Sequence, residues 1–155
     1  MLNHEFILWI LPFAYAIHVL EEKILDWKTW ASATFPFPGL DWPMFYVANM
    51  AVLVGGFAAA FVGWQCPAFA LIIAALMLIN GLFFHILPTL VQRKFSPGVI
   101  TSVVLFLPIG IWAYCGAYCD QVLTWPVLII SLVLGGLLMA SPFIFFRVKA
   151  KLDKK

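Results

Sequence analysis

Three ionisable side chains lie close together early in the chain: His18, Glu21 and Glu22. On a helix the two acids stand at i+3 and i+4 from the imidazole, so both can share its face, with unequal alignment. An imidazole with a carboxylate one turn away is half of a metal site. His85, much later in the chain, can supply the other half, with a carbonyl or water filling what remains. The set His18, Glu21 and His85 then suits a divalent metal, zinc or iron. The same atoms can also work without metal, because a carboxyl group in an apolar cavity is suited to general acid or base chemistry near neutral pH. The catalytic candidates are therefore His18, Glu21, Glu22 and His85. Asn49, Asn80 and Thr101 are the neutral polar residues placed to hold a substrate.

These groups stand out against their surroundings. Of 155 residues, 65% are hydrophobic and 10% charged, with a formal net charge of +2. Soluble domains are nearer 45–50% apolar and about 25% charged, and a chain of this size must still cover its own surface. The composition excludes a soluble globular protein, a disordered chain and a coiled coil. The small net charge gives no sign of a nucleic-acid partner. The expected fold is all-α: a polytopic membrane helix bundle whose main partner is the lipid bilayer.

Apolar runs of about 20 residues mark membrane-crossing helices. Five are legible, at residues 5–20, 44–64, 68–90, 99–118 and 123–146. Residues 26–43, with Pro36, Pro38 and Gly39, read as a loop or re-entrant segment. Residues 1–146 form one transmembrane domain and 147–155 a basic tail. No internal repeat of the transporter kind is evident, nor a convincing secretory signal. With five spans all nine Lys and Arg residues fall on one side: Lys23, Lys28, Arg93, Lys94 and the five of the tail. The positive-inside rule then places the C-terminus in the cytoplasm and the N-terminus outside. Lacking a targeting segment, the chain is expected in the bacterial inner membrane.

Depth strengthens the chemical reading. His18, Glu21 and Glu22 near the end of the first span, Asn49 early in the second, His85 late in the third and Thr101 early in the fourth occupy one slice of the membrane. Ionisable groups there cost roughly 2.5–3.5 kcal/mol each on insertion scales. Asn80 and His85 are i,i+5, which share a cavity only where a π-bulge loosens the helix; Gly81 and Pro88 permit one. A plainer reading competes. Glu21 and Glu22 close a solvated helix end, paired with Lys23 or Arg93; the histidines are hydrogen-bonded packing; and the asparagines join helices. At the other side, His4 and Glu5 are expected in an exposed tail. Cys66, Cys115 and Cys119 are either packed free thiols or include a disulfide from Cys66. Gly55-Gly56 and Gly135-Gly136 read as close helix packing. No P-loop, nucleophile elbow, dinucleotide fingerprint or CxxC pair is present.

His18-Val19-Leu20-Glu21-Glu22 reads H-x-x-E-E. Asn80-Gly81-Leu82-Phe83-Phe84-His85 follows, then Arg93, Phe95-Ser96-Pro97-Gly98, Thr101 and Pro108. This ordered set resembles the HXXEE family of small integral membrane proteins over residues 11–108. The resemblance implies a site at His18, Glu21, Glu22, Asn80 and His85, and supplies no reaction. The residues point to a membrane enzyme acting on a lipophilic small molecule from the cytoplasmic leaflet. The alternatives are a small proton- or ion-coupled transporter, in which a homo-oligomer would serve, and a non-catalytic membrane subunit.

Overall fold

The computed structural model describes the backbone of residues 3–35 and 40–152, and side chains as far as residue 144. Pro36, Pro38 and Gly39 and the side chains of the basic tail lie outside the described residues. Among those described, every regular element is helical. We number them α1 (Ile7–Ile24), α2 (Trp27–Thr34), α3 (Trp42–Val62), α4 (Pro67–Gln92), α5 (Val99–Cys119) and α6 (Trp125–Leu152).

Local sequence explains the boundaries. Asp41 caps α3 by accepting the Met44 N–H at 2.8 Å, with Pro43 in the first turn, where a missing N–H costs nothing. Arg93 ends α4 in the left-handed conformation, with φ +52°. Gly98, at φ +97°, makes the turn into α5.

Four helices are long and apolar enough to cross a membrane: Trp42–Gln65, Pro67–Gln92, Val99–Cys119 and Trp125–Ile144. The expected first span is present as α1, but its 18 residues include Glu21, Glu22 and Lys23. Those three charges keep it out of the apolar class. The bundle's outer face is strongly apolar, with Phe61 80% and Val47 65% exposed. Such a surface is a liability in water and is the one a bilayer solvates.

A correction falls on the expected linker, where residues 27–34 form helix rather than loop. This stretch holds neither proline nor glycine. Trp27, Trp30 and Ala31 recur at helical spacing and pack with Leu40 and Met44. Lys23 lies 3.6 Å above the Trp42 ring, a cation–π contact that ties the end of α1 to the start of α3.

The N-terminal segment also departs from expectation, because it is held. His4 donates its backbone N–H to Asp120 at 2.7 Å, and its ring Nδ1 lies 2.7 Å from the same carboxylate. Trp64 Nε1 donates to Asp120 at 2.9 Å, and the Trp64 backbone N–H donates to Glu5 at 2.7 Å. The His4 ring, with these other donors, holds the Asp120 carboxyl below its ordinary value. The start of α1 therefore meets the ends of α3 and α5. At the opposite end, Glu21 of α1 meets the start of α5. So α1 runs the height of the bundle, antiparallel to α3 and α5.

The cysteines are free and exposed, neither bridged nor packed. The glycine pairs divide. A Cβ on Gly56 would lie 3.2 Å from Pro12 and one on Gly135 2.6 Å from Ala75, whereas one on Gly55 would meet nothing within 4 Å. Gly56 and Gly135 are packing glycines, and Gly55 opens onto space.

Candidate metal centre

Two irregular segments build the site. Residues Gly81–Ile86 of α4 and Ser102–Phe106 of α5 are π-helical, and each runs into a proline, Pro88 or Pro108. A proline leaves the carbonyl four residues back without a donor and crowds it. Pairing one residue further along relieves both problems. The π-bulge that Asn80 and His85 require is therefore present. The two segments meet at Gly81, where a Cβ would lie 3.4 Å from Ser102 Cβ and 3.6 Å from Phe106 Cβ. One bulge presents His85 and the other Phe106, whose ring centroid is 4.2 Å from that of His18.

His18, Glu22 and His85 converge. Each offers a ligand atom within 4.8 Å of the others. Glu22 Oε1 lies 3.6 Å from His18 Nε2 and 3.5 Å from His85 Nε2. His18 is 0%, His85 1% and Glu22 5% exposed, which removes the solvated-helix-end reading for Glu22. The rings touch edge-to-face at 4.8 Å. Gly98 closes the site from above: a Cβ there would stand 2.6 Å from His85 Cε1 and 2.8 Å from His18 Cε1.

Behind each ring, Nδ1 lies against a hydroxyl. Thr101 Oγ1 lies 2.8 Å from His18 Nδ1, 2.5 Å from Glu21 Oε2 and 3.3 Å from the Gly98 carbonyl. A carboxylate and a carbonyl only accept, so both compete for the threonine proton, which favours the tautomer in which His18 Nδ1–H donates to Thr101. His85 Nδ1 lies 3.2 Å from Ser96 Oγ, whose hydroxyl turns to the Pro97 carbonyl. With the serine proton on that carbonyl, the proton of this pair is on His85 Nδ1. Each ring turns its Nε2 toward the Glu22 carboxylate. His18 Nε2 is buried with no hydrogen-bond partner among the described residues.

Glu21 does something else. Sequence spacing offers it as the ligating carboxylate and Glu22 as the second; the geometry gathers Glu22, not Glu21, with the two imidazoles. Glu21 accepts the backbone N–H groups of Gly98 at 3.0 Å, Ile100 at 3.2 Å and Thr101 at 2.8 Å, besides the Thr101 hydroxyl. It caps the start of α5 from a neighbouring helix, where backbone donors and helix dipole favour a negative charge. Thr101, offered by the sequence as a substrate-holding residue, joins Glu21 to His18.

Asn49 and Asn80 line a crevice of about 60 Å³ that also reaches Tyr15 and Glu22. Asn49 accepts from the Tyr15 hydroxyl at 2.7 Å and donates to the Phe45 carbonyl at 2.8 Å. Glu22 is the member of the triad that faces this crevice. Sequence reasoning did not single out Tyr15 or the pairing of Ser96 with His85. The Ser-Pro-Gly turn was visible, but nothing in it announced which imidazole it would meet.

The family described as "Protein of unknown function with HXXEE motif" matches residues 9–113. This chain belongs to the HXXEE family. It is also similar to the uncharacterized protein YrkK of Bacillus subtilis (strain 168), at 33% identity over 78 residues. That match covers 50% of this chain and 49% of YrkK, so the chain aligns with about half the length of this relative. No solved structure matches the chain. Every position of the motif now has a place: His18 and Glu22 in the buried triad, Glu21 holding the adjacent helix start.

Proposed function

We propose that this HXXEE protein is a membrane-embedded, metal-dependent enzyme acting on a lipophilic substrate, with His18, Glu22 and His85 as its metal ligands. The spacing of the triad carries the reading. Two lone pairs and a carboxylate oxygen repel unless a positive charge sits among them. At 3.5 and 3.6 Å the nitrogens stand too far from Oε1 for good hydrogen bonds. Two ligands at zinc distances and the tetrahedral angle stand about 3.3–3.5 Å apart. A metal-ligating histidine almost always has a hydrogen-bond partner behind its other ring nitrogen; here each Nδ1 has one, the hydroxyl of Thr101 or of Ser96.

Three protein ligands leave coordination for water or substrate, and a metal so held activates water or polarises a carbonyl or phosphoryl oxygen. The chain's own residues do the rest. Asn80 and the Tyr15–Asn49 pair present polar atoms to the substrate side of Glu22, and Phe106 and Gly98 shield the rings. We further propose that α1 is a fifth span, with the triad toward the cytoplasmic leaflet of a bacterial inner membrane. Its 18 residues rise about 27 Å, close to the hydrocarbon thickness.

Metal analysis of the purified chain tests the centre. A stoichiometric divalent ion is expected in the wild type and a loss of it in His18→Ala and Glu22→Ala. No bound metal in the folded wild type, or equal metal in these variants, would overturn the metal reading. Comparing membrane lipids of cells expressing wild type or His85→Ala tests catalysis; identical lipid profiles would favour a non-catalytic role.

A further inference from the structure

The crevice beside Glu22 is the inner end of a longer furrow. Helices α3 and α6 both pack on α4 and wall a channel along it. Its floor is the row Ile72, Leu76 and Asn80 of α4, spaced i, i+4, i+8 on one helix face. That row spans about 12 Å, the length of a medium alkyl segment. Ala48 and Val52 line both the inner crevice and a middle cavity of about 170 Å³. Ala51 carries the furrow on into an outer cavity of about 470 Å³ beside Gly55. Leu138 touches all three.

The furrow is graded in polarity. Its outer part is walled almost wholly by apolar side chains from helices apolar enough to cross a membrane. Its inner end carries Glu22, Asn49 and Asn80. Asn80 is 6% exposed and lines the crevice beside Glu22, so a polar amide stands at the inner end of an otherwise apolar furrow. Gly55 contributes to the width, because a side chain there would project into open space.

We infer that this furrow binds a single-chain amphiphile from the bilayer, its alkyl tail along α3 and α6 and its polar head at Asn80 and the triad. The inference rests on the metal-centre reading for the head and on the furrow for the tail. A tail of this kind is already dissolved in the membrane, so a side opening between spans reaches it without extraction into water. The head then meets an amide donor at Asn80 beside Glu22. A diacyl lipid is the less suitable occupant, since one row of floor residues supports one chain.

Photo-crosslinking tests this. The full chain in phosphatidylglycerol–phosphatidylcholine vesicles, loaded with zinc, is exposed to palmitoyl hydroxamic acid bearing a diazirine near the tail end. Adducts are expected at residues 51–59 of α3 and 134–138 of α6, displaced by unlabelled palmitoyl hydroxamic acid. Gly55→Phe should lose those adducts while keeping its metal and its melting temperature. Adducts spread over all lipid-facing helices, or unchanged in Gly55→Phe, would overturn the inference. Retained metal without furrow adducts leaves the metal centre standing and the furrow refuted. Furrow adducts from diazirine-palmitic acid in a protein that holds no metal leave the furrow standing and the centre refuted.

Discussion

At the scale of single residues, the site is a matter of which hydrogen points where. Thr101 has one hydroxyl proton and three neighbours, two of which only accept. That competition favours a His18 that donates from Nδ1 and turns Nε2 toward Glu22. Thr101→Val keeps the shape and removes the acceptor. The ring is then free to turn over, and the lone pair loses its aim. We expect metal affinity to fall about 10–100-fold, the usual effect of removing a hydrogen-bond partner behind a ligand, with the melting temperature within a few degrees of wild type. Competition with a metal-binding dye measures it. Unchanged affinity would mean that Thr101 serves only the packing of α5. Glu21→Gln separates the two jobs of the loop: it keeps an acceptor for the threonine but weakens the charge at the helix start, so its effect on metal should be smaller than that of Thr101→Val.

At the scale of elements, the two π-segments convert sequence spacing into geometry. An extra residue in a turn rotates everything beyond it by about 100° relative to a regular α-helix. Asn80 and His85 share the surroundings of Glu22 only because α4 carries that extra residue. Pro88→Ala restores the missing N–H and allows the regular helix back. The expected result is loss of bound metal with a melting temperature equal to or above wild type, since proline inside a helix costs about 3 kcal/mol. Metal analysis alongside thermal unfolding checks it; retained metal would show that the bulge is held by contacts other than the proline. Much of this level was legible beforehand. The long apolar helices, the meeting of His18, His85 and Thr101 at one end of the bundle, and the need for a bulge between Asn80 and His85 all follow from spacing and hydropathy. The choice between Glu21 and Glu22 was not, because i+3 and i+4 both share the histidine's face. It is decided by the Gly98–Thr101 turn, which arrives from far along the chain and draws one carboxylate to its backbone donors. The same holds for His4 and Glu5, whose partners, Asp120 and Trp64, are distant in sequence. Short helix α2 was hidden because the prolines after it coloured the whole stretch as loop.

At the scale of the whole molecule, the question is how α1 stands relative to the membrane. Composition alone admits α1 as a surface helix, because Glu21, Glu22 and Lys23 sit at its end. Contacts argue for a crossing. Its first turn is clasped to Asp120 and Trp64 at one end of the bundle, and its last turn holds the start of α5 at the other. Its buried face, from Ile7 to Glu22, is part of the core. The three charges then lie where a crossing helix leaves the hydrocarbon, and Lys23 and Arg93 share that end as the positive-inside rule requires. The proposed topology makes a sharp prediction from side chains already present. Cys66 and Cys119 are exposed and adjoin Trp64 and Asp120, at the end opposite Lys23. In intact cells both should react with a membrane-impermeant maleimide. With all three native cysteines replaced by serine, Lys28→Cys should react only after permeabilisation, while an epitope added before Met1 should be open to antibody from outside. If the epitope and the thiol introduced by Lys28→Cys become accessible together, α1 lies along the surface. The buried triad would then sit at the rim of a four-span bundle rather than within a five-span one.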